Sequence, residues 1–386
     1  MTRLLVAAGG GGDAITAAVL HTALHGARTP ALVLTYAWER LVVDPVPGPR
    51  RAADFTGTEP AAPGLVLVTP QTRPVAPAGS LLPRLAAGLG PRLGLLDPYD
   101  GARGLARQID AAARWCRAGR IDLVDVGGDI VARGDEPTLR SPLGDALALA
   151  ACAATGLPTT VYVAGPGLDN EVPPTELLPR LGEPAFALTA AHTEGVLPVF
   201  DWHPSEASAL LVAAARGVRG VCGTRDAPRP VLLDDSACRV HRLTLNRALA
   251  LSPLARSLAG STSLDEAEAA SRAVCGFSEI ERERHRAASG PGAVRPPGSS
   301  GAGDGSGAEA GGRAGAAAGA EAAEAVLARF AAWERELLAD GLAYVTSRRI
   351  TEELGLTIPQ ARTLFDRLRA TTPPRQAPPL WRLGRA

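Results

Sequence analysis

The stretch Leu4-Leu5-Val6-Ala7-Ala8-Gly9-Gly10-Gly11-Gly12-Asp13 decides the fold class. Its apolar half predicts a buried strand, and the four glycines before the aspartate predict a tight turn into a helix. The same order of apolar run, glycine-rich loop and helical pattern recurs over the first three quarters of the chain. Strands that alternate with helices in this way are typical of a mostly parallel sheet with helices on both faces. We therefore predict a Rossmann-like α/β fold.

The elements of this alternation follow from apolar runs and helical periodicity. The predicted strands are Leu4–Ala8, Pro30–Leu34, Leu65–Val68, Ile121–Val126, Thr159–Val163 and Val218–Cys222. The predicted helices cover residues 13–25, 101–118, 143–154, 174–182 and 204–216. Because such sheets bind ligands at the carboxyl ends of their strands, we expect the functional residues in the loops that follow the strands.

Composition divides the chain into four parts. Residues 1–286 are the predicted α/β domain, and residues 287–320 are rich in Gly, Ala, Ser and Pro. A stretch of that composition buries too little apolar surface to offset its ordering entropy, so we predict a disordered linker. Residues 321–370 return to a helical pattern, and residues 371–386 form a tail rich in Pro and Arg.

The amino-acid content excludes several classes of protein. All 40 basic residues are arginine, and 40 acidic residues balance them. A P-loop, a pyridoxal phosphate enzyme and a Schiff-base aldolase each need a lysine, so these classes are excluded. Zero net charge argues against a chain-wide interaction with nucleic acid or an anionic membrane. Five widely spaced cysteines without zinc-ligand spacing indicate buried thiols in a reducing compartment.

No run of apolar residues approaches the roughly 20 that a membrane span requires. The N-terminal apolar run breaks at Gly9, which is too early for a signal peptide. We therefore expect a cytoplasmic protein that does not associate with a membrane.

The first loop, Gly9–Asp13, predicts an anion site. The backbone N–H groups of Gly10, Gly11 and Gly12, with the helix N-terminus behind them, suit a phosphate. Asp13 either caps the helix or holds a ribose hydroxyl or a cation. The loop lacks the GxGxxG spacing of a nicotinamide cofactor site. A purely structural tight turn is the alternative interpretation.

Carboxylates cluster in the loop after the fourth predicted strand. Asp125 and Asp129 flank the pair Gly127 and Gly128. Carboxylates at a sheet edge suit a hard cation such as Mg²⁺, or general acid–base catalysis. We predict catalytic roles for Asp129 and Asp125 and ligand binding by the two glycines, the alternative being turn and capping aspartates.

The loop after the fifth predicted strand repeats this pattern. Gly165 and Gly167 are predicted to bind ligand, and Asp169 is predicted to join Asp129 as a metal ligand. Glu171 lies close by in the sequence and is able to extend the carboxylate cluster. Capping of the helix that begins near Pro174 is the alternative interpretation.

A polar segment precedes the last predicted helix of the α/β domain. His203 is a candidate general acid or base, against the alternative of a structural histidine. Ser205 is a candidate ligand-binding residue at the helix start. It does not lie in a GxSxG elbow, so the segment does not indicate a serine hydrolase.

Five motifs resemble, in the same order, those of domain-of-unknown-function family 1152. They are GGGGD (9–13), DVGGD (125–129), SPLGDALAL (141–149), GPGLDNE (165–171) and WHPSEAS (202–208). The resemblance covers roughly residues 3–285 and resumes at Ala343–Gly355. The family is known in archaea and actinobacteria, and its biochemistry was not established when it was defined. The resemblance thus implies a fold and a site but no reaction.

The segment after the low-complexity stretch predicts a helix-turn-helix. Ile350 and Leu354 have the spacing of inward-facing residues, and Gly355 suits the turn. Arg362 and Arg369 then have positions from which to contact phosphates of DNA. A helical hairpin that packs against the main domain or a partner is the alternative interpretation.

These observations predict an intracellular hydrolase or group transferase that acts on a phosphorylated or nucleotide-like small molecule, in secondary metabolism. Mg²⁺ is the expected metal, no other cofactor is indicated, and a homo-oligomer is compatible with this prediction. The alternative function is a ligand-sensing regulator whose C-terminal helix-turn-helix binds DNA or a partner. Nucleic acid contacts are expected only from residues 348–369.

Overall fold

The computed structural model describes residues 2–225, 229–289, 312–372 and 374–384, with the backbone alone for residues 312–323. Its strands are β1 (Arg3–Ala7), β2 (Ala31–Tyr36), β3 (Phe55–Thr56), β4 (Glu59–Ala62), β5 (Leu65–Val68), β6 (Arg73–Pro74), β7 (Arg92–Leu96), β8 (Ile121–Val126), β9 (Thr159–Ala164), β10 (Pro184–Ala187), β11 (Gly220–Gly223), β12 (Val231–Leu233), β13 (Arg239–Thr244), β14 (Tyr344–Val345), β15 (Gln376–Ala377) and β16 (Leu380–Arg382). Its helices are α1 (Asp13–His25), α2 (Leu82–Gly88), α3 (Gly101–Cys116), α4 (Pro142–Ala154), α5 (Pro174–Leu181), α6 (Ala190–Thr193), α7 (Glu206–Ala215), α8 (Leu245–Leu251), α9 (Pro253–Leu258), α10 (Leu264–Cys275), α11 (Glu279–Ser289), α12 (Gly312–Ala339), α13 (Ser347–Glu353) and α14 (Ile358–Arg369).

A nine-stranded sheet forms the centre of the α/β part, in the order β10-β13-β9-β8-β1-β2-β7-β5-β4. The five strands from β9 to β7 are parallel, and two antiparallel strands flank them on each side. This arrangement confirms the predicted α/β fold. The chain moves from β1 to β2 on one side, whereas β8 lies on the other side of β1. The sheet therefore has its switch point between β1 and β8, where a ligand site is expected.

Helices cover both faces of this sheet because successive residues of a strand point to opposite sides. In β1, Leu4 and Val6 belong to a buried cluster shared with α3 and α4. Leu5 and Ala7 belong to a second buried cluster shared with α1 and α7. Burial on both faces explains why the strand is apolar at every position rather than at alternate positions.

All six predicted strands form, but not all in the central sheet. β5 pairs antiparallel with β7, and β11 lies in a different sheet. Four strands of the central sheet, β4, β7, β10 and β13, are absent from the predicted strands. The predicted helices correspond to α1, α3, α4, α5 and α7, with ends that shift by one or two residues.

A second sheet, in the order β12-β11-β14-β16-β15, joins the C-terminal segment to the α/β part. β14 pairs in parallel with β11 and antiparallel with β16, which also pairs with β15. Strands β15 and β16 fall in the predicted tail, residues 371–386. α11 extends to Ser289 and α12 begins at Gly312. The rest of the predicted linker, residues 290–311, lies outside the described residues.

The C-terminal segment has the element order α12-β14-α13-α14-β15-β16. Helices α13 and α14 follow one another across a short turn that contains Gly355, and the antiparallel pair β15–β16 comes after them. Trp381 of β16 is 2% exposed, stacks on Phe365 at a ring distance of 4.8 Å, and donates from Nε1 to Ser347 Oγ at 2.8 Å. Arg369 of α14 pairs with Asp201 at 3.2 Å, so the segment also packs against the α/β part.

Two expectations about the whole chain also receive structural evidence. All five cysteines are free, and four of them are buried, with Cys275 partly buried. Within the residues that the structure describes, no helix has the length and apolarity needed to cross a membrane.

Trp381 provides a test of whether the C-terminal tail belongs to the folded core. Trp381→Ala should lower the free energy of unfolding by about 3–5 kcal/mol, because it leaves a cavity and removes the stacking on Phe365. Urea denaturation followed by circular dichroism measures this change. The control Ile358→Ala, at a side chain 61% exposed, should change it by no more than about 0.5 kcal/mol. If Trp381→Ala and Ile358→Ala unfolded with equal free energies, this result would contradict the packing of β16 in the core.

Candidate functional site

A cavity of about 440 Å³ lies at the carboxyl ends of the central strands, at the switch point. Its walls come from the loops after β1, β2, β8 and β9 and from residues at or near the N-termini of α4, α7, α11 and α13. This volume is in the range of small-molecule sites. The cavity is therefore the candidate functional site.

Three aspartates meet beneath the glycine loop. Carboxylate oxygens of Asp13, Asp125 and Asp145 lie within 4.8 Å of one another, and all three side chains are buried. Asp13 Oδ2 accepts a hydrogen bond from the Gly9 N–H at 2.6 Å. Both oxygens of Asp125 and Oδ1 of Asp145 are buried without a hydrogen-bond partner among the described residues. Buried oxygens without donors, at this spacing, are typical of a site for a hard divalent cation.

Burial opposes the ionisation of the three aspartates in this cluster. Desolvation raises the pKa of Asp13 to about 7, against the hydrogen bond from Gly9. Desolvation and then the charges of neighbouring carboxylates raise the pKa values of Asp125 and Asp145 well above the usual range. In the absence of a cation the cluster therefore retains protons at neutral pH, and a bound cation would displace them.

Asp129 and Asp169 line the same cavity but are not part of the three-aspartate cluster. Burial, followed by repulsion from Asp145, raises the pKa of Asp129 well above its usual range. Asp169 Oδ1 accepts from the Glu171 N–H at 3.1 Å, while Oδ2 has no partner among the described residues. Burial and the Glu171 charge raise the pKa of Asp169 to about 8. The two residues predicted as metal ligands, Asp129 and Asp169, therefore line the same cavity, but only the three-aspartate cluster has the spacing of metal ligands.

Glycine is required in the first loop for two different reasons. A Cβ on Gly10 would lie 2.5 Å from the Trp38 carbonyl oxygen, and one on Gly12 would overlap the Ser205 hydroxyl. Gly11 has a φ of 64° and open space beside it. The N–H groups of Gly10–Gly12 donate no hydrogen bond to any residue that the structure describes. All three glycines line the cavity, and their binding of a ligand stays a prediction.

The other four predicted ligand-binding glycines are not among the residues that line the cavity, and each packs closely against a neighbouring residue. Gly127 leaves room for the Asp169 carboxylate, and Gly167 packs against Pro174. All four have a positive φ, which a residue with a side chain rarely adopts. They are Gly127, Gly128, Gly165 and Gly167.

His203 lines the cavity with a side chain that is 7% exposed. Its Nδ1 accepts from the Ser205 backbone N–H at 3.2 Å, which places the ring proton of the neutral tautomer on Nε2. Nε2 has no partner among the described residues. Burial, with Arg40 and Arg84 nearby, lowers the pKa of His203 to about 3. The ring is therefore neutral at physiological pH, and Nε2–H is a hydrogen-bond donor.

Ser205 couples α7 to the glycine loop. Its hydroxyl donates to Ser208 Oγ at 3.1 Å, and Ser208 donates in turn to the Gly12 carbonyl at 2.9 Å. No side chain caps the N-terminus of α1 or of α7 in the described residues. The positive ends of both helix dipoles thus lie at the same cavity wall.

The charged groups in the cavity wall are mostly acidic. The guanidinium groups in the wall are those of Arg40, Arg140, Arg286 and Arg348. The carboxylates in the wall are those of Asp13, Glu39, Asp129, Asp145, Asp169, Glu171, Glu206, Glu279 and Glu283. Such an excess of carboxylates over cations favours a cationic ligand or a ligand bound together with a metal.

Sequence reasoning missed three of the residues that shape this site. Asp145 lies in the SPLGDALAL motif, but a single acid in the first turn of a helix is typical of helix-dipole stabilisation and does not by itself indicate a site. Arg40 and Glu279 follow no glycine-rich loop. The motif resemblance was the available signal for Asp145.

The fold and the cavity define an α/β protein with a carboxylate-rich site at the switch point of its sheet. The chain belongs to the family described as "Protein of unknown function (DUF1152)", whose model matches residues 4–287. This confirms the resemblance seen in the motifs. No curated protein and no solved structure matches the chain. The matched residues include every wall of the cavity except the one that α13 contributes.

The aspartate cluster predicts an unusual pH dependence of stability. Because the pKa values are raised in the folded state, metal-free protein should lose stability as the pH rises from the ordinary Asp pKa of 3.8 to about 8. Asp145→Asn should flatten this slope, and MgCl₂ should restore stability to the wild type at pH 8. Thermal melts in chelator across this range measure the effect.

The exposed Asp100, which pairs with Arg107 at 3.2 Å, provides the matched control. Asp100→Asn should retain the wild-type slope. If the stability of the wild type rose over the same pH range, this result would contradict the interpretation that the buried aspartates are protonated in the folded protein.

Proposed function

We propose that this protein is a divalent-cation-dependent hydrolase or group transferase that acts on a phosphorylated or nucleotide-like small molecule. One observation carries the proposal: the three-aspartate cluster and the N–H donors of Gly10–Gly12 adjoin the same cavity. A cation held by the cluster and a phosphoryl group held by the donors would then be neighbours.

The donor set fits a cation such as Mg²⁺, since all its atoms are carboxylate oxygens. When bound, the cation would neutralise charge on the phosphoryl oxygens. Asp13, Asp125 and Asp145 would hold it. Asp125 lies below the cavity wall, so its role in this proposal is to bind the cation rather than to contact substrate.

Asp129 and Asp169 supply the proton transfers in the proposal. In hydrolysis, the water oxygen forms a bond to phosphorus while the bond from phosphorus to the leaving oxygen breaks. In this proposal Asp129 ionises when a cation is bound at the neighbouring cluster, because the positive charge would lower its pKa. The Asp129 carboxylate then accepts the water proton, and the protonated Asp169 carboxyl gives its proton to the leaving oxygen. The raised pKa of Asp169, about 8, supports its role as an acid at neutral pH. His203 Nε2–H donates a hydrogen bond to a phosphoryl oxygen and does not change its proton.

A ligand panel tests this proposed function. The melting temperature of the protein is measured with nucleotides and sugar phosphates, with and without Mg²⁺. A ligand at 100 times its dissociation constant should stabilise the protein by about 2.7 kcal/mol. The Asp145→Asn variant should lose the part of this stabilisation that depends on Mg²⁺. Asp129→Asn should keep binding but lose most of the release of inorganic phosphate.

Asp100→Asn again serves as the matched control and should behave as the wild type. The proposal would be wrong if neither Mg²⁺ nor Mn²⁺ binds the wild type and no compound of the panel shifts its melting temperature.

A second candidate function, a regulator that binds DNA, is favoured by the winged helix-turn-helix topology of the C-terminal segment. Arg362 and Arg367 are exposed on α14, and among the described residues neither forms a hydrogen bond or an ion pair. Arg369, which the sequence predicts to face DNA, pairs instead with Asp201, and Arg348 of the same segment lines the cavity.

Fluorescence anisotropy with labelled duplex DNA tests this second candidate. If α14 binds DNA, the affinity should fall steeply as the salt concentration rises. The Arg362→Ala/Arg367→Ala double variant should then show a weaker dependence on salt. Arg335→Ala, an exposed arginine of α12, is the control. Binding that is weak and identical in all three proteins would contradict the regulator.

A further inference from the structure

One wall of the cavity comes from outside the family-matched residues. Arg348 lies on α13, in the C-terminal segment, and its side chain is only 10% exposed. Arg348 Nε donates to Glu352 Oε1 at 2.7 Å, one turn further along the same helix. Its Nη1 lies 4.0 Å from Glu206 Oε2 at the start of α7. These two carboxylates orient the guanidinium group toward the cavity.

Glu206 fastens the C-terminal segment to this wall. Its buried carboxylate accepts hydrogen bonds from the Arg225 backbone N–H at 2.8 and 2.9 Å. It also accepts from the Thr346 hydroxyl, at the residue that caps α13. Glu206 thus connects α7 with α13 and with the loop after β11 at this wall.

The cavity that Arg348 lines also contains hydrogen-bond donors with positive dipoles. The N–H groups of Gly10–Gly12 and the uncapped N-terminus of α7 lie on either side of the contact between Gly12 and Ser205. His203 Nε2–H, two residues before Ser205, is buried and has no partner among the described residues. An unpartnered buried donor beside an arginine and two helix N-termini is typical of a site for an anion.

We propose that Arg348 and His203 form the anion-binding end of the cavity, and that the C-terminal segment thereby completes the ligand site. The ligand is a di- or polyphosphate, or an equally charged phosphate ester, whose other end contacts the cation at the three-aspartate cluster. Arginine suits this role because its planar fork binds two phosphate oxygens. The inference rests on the proposed function, which supplies the cation end.

Calorimetric titrations with inorganic pyrophosphate, in the presence and absence of Mg²⁺, test the anion end separately from the cation end. Mn²⁺ alone is titrated to measure the cation end. Arg348→Gln should weaken pyrophosphate binding at least tenfold and leave Mn²⁺ affinity unchanged. Arg348→Lys, which keeps the charge but not the fork, should give a smaller loss. His203→Ala should also weaken pyrophosphate binding and spare Mn²⁺.

Two variants control for a merely structural role of Arg348. Arg335→Gln changes an exposed arginine of α12, and Arg362→Gln changes an exposed arginine of α14. Both should bind pyrophosphate within about twofold of the wild type, a difference of about 0.4 kcal/mol. Differential scanning calorimetry of each variant establishes that it is folded.

The outcomes separate the two proposals. Equal pyrophosphate affinity in Arg348→Gln and the wild type would overturn the anion end, and so would an equal loss of pyrophosphate and Mn²⁺ binding. Wild-type protein that binds Mn²⁺ but not pyrophosphate would also overturn the anion end while leaving the cation end standing. Wild-type protein that binds pyrophosphate but no divalent cation would overturn the proposed function and support the role of Arg348.

Discussion

The structure depends on the burial of carboxylates that repel one another at the switch point of the central sheet. Asp13 follows β1, Asp125 ends β8, and Asp145 begins α4, so the parallel pairing of β1 with β8 brings the first two together. Buried like charges are costly unless they are protonated or bind a cation. The same constraint requires glycine at position 9, where a Cβ would lie 2.5 Å from an Asp13 oxygen and 3.0 Å from an Asp145 oxygen. The stability of the fold is therefore linked to the protonation of one cluster.

Local sequence patterns predicted the strands that position the site. The strands and site residues that these patterns did not predict depend on packing between distant parts of the chain. β1 and β8 are continuous apolar runs before glycine-rich loops, which is a local signal. β7 contains Gly94, a residue type that strand patterns disfavour. Glycine occurs there because the Leu34 side chain of β2 packs where a Cβ would lie. β13 alternates charged and apolar residues and inserts antiparallel between β9 and β10, a pairing that no local pattern specifies. Arg348 reaches the cavity through contacts with Glu206, which lies well over 100 residues earlier in the chain.

The C-terminal arginines show why residue type and spacing do not determine a partner. Arg348, Arg362 and Arg369 all suit phosphate contacts on a helix-turn-helix, yet the tertiary structure gives them different surroundings. Arg348 faces the cavity with carboxylates on two sides, Arg369 pairs across to Asp201, and Arg362 faces outward. Only the docking of α13 and α14 against the α/β part distinguishes these positions, since an isolated helix-turn-helix would expose all three.

The parallel pairing of β11 with β14 has a consequence for how this chain folds. β11 belongs to the family-matched residues, but one of its edges is covered by a strand that is made more than 100 residues later. Until β14 arrives, the backbone N–H and C=O groups on that edge face solvent, as does the half-buried Val221 that packs against the C-terminal core. An open strand edge with an apolar neighbour is a template for pairing with another molecule. A nascent or truncated chain that ends near residue 287 would therefore be prone to aggregation until this edge is covered.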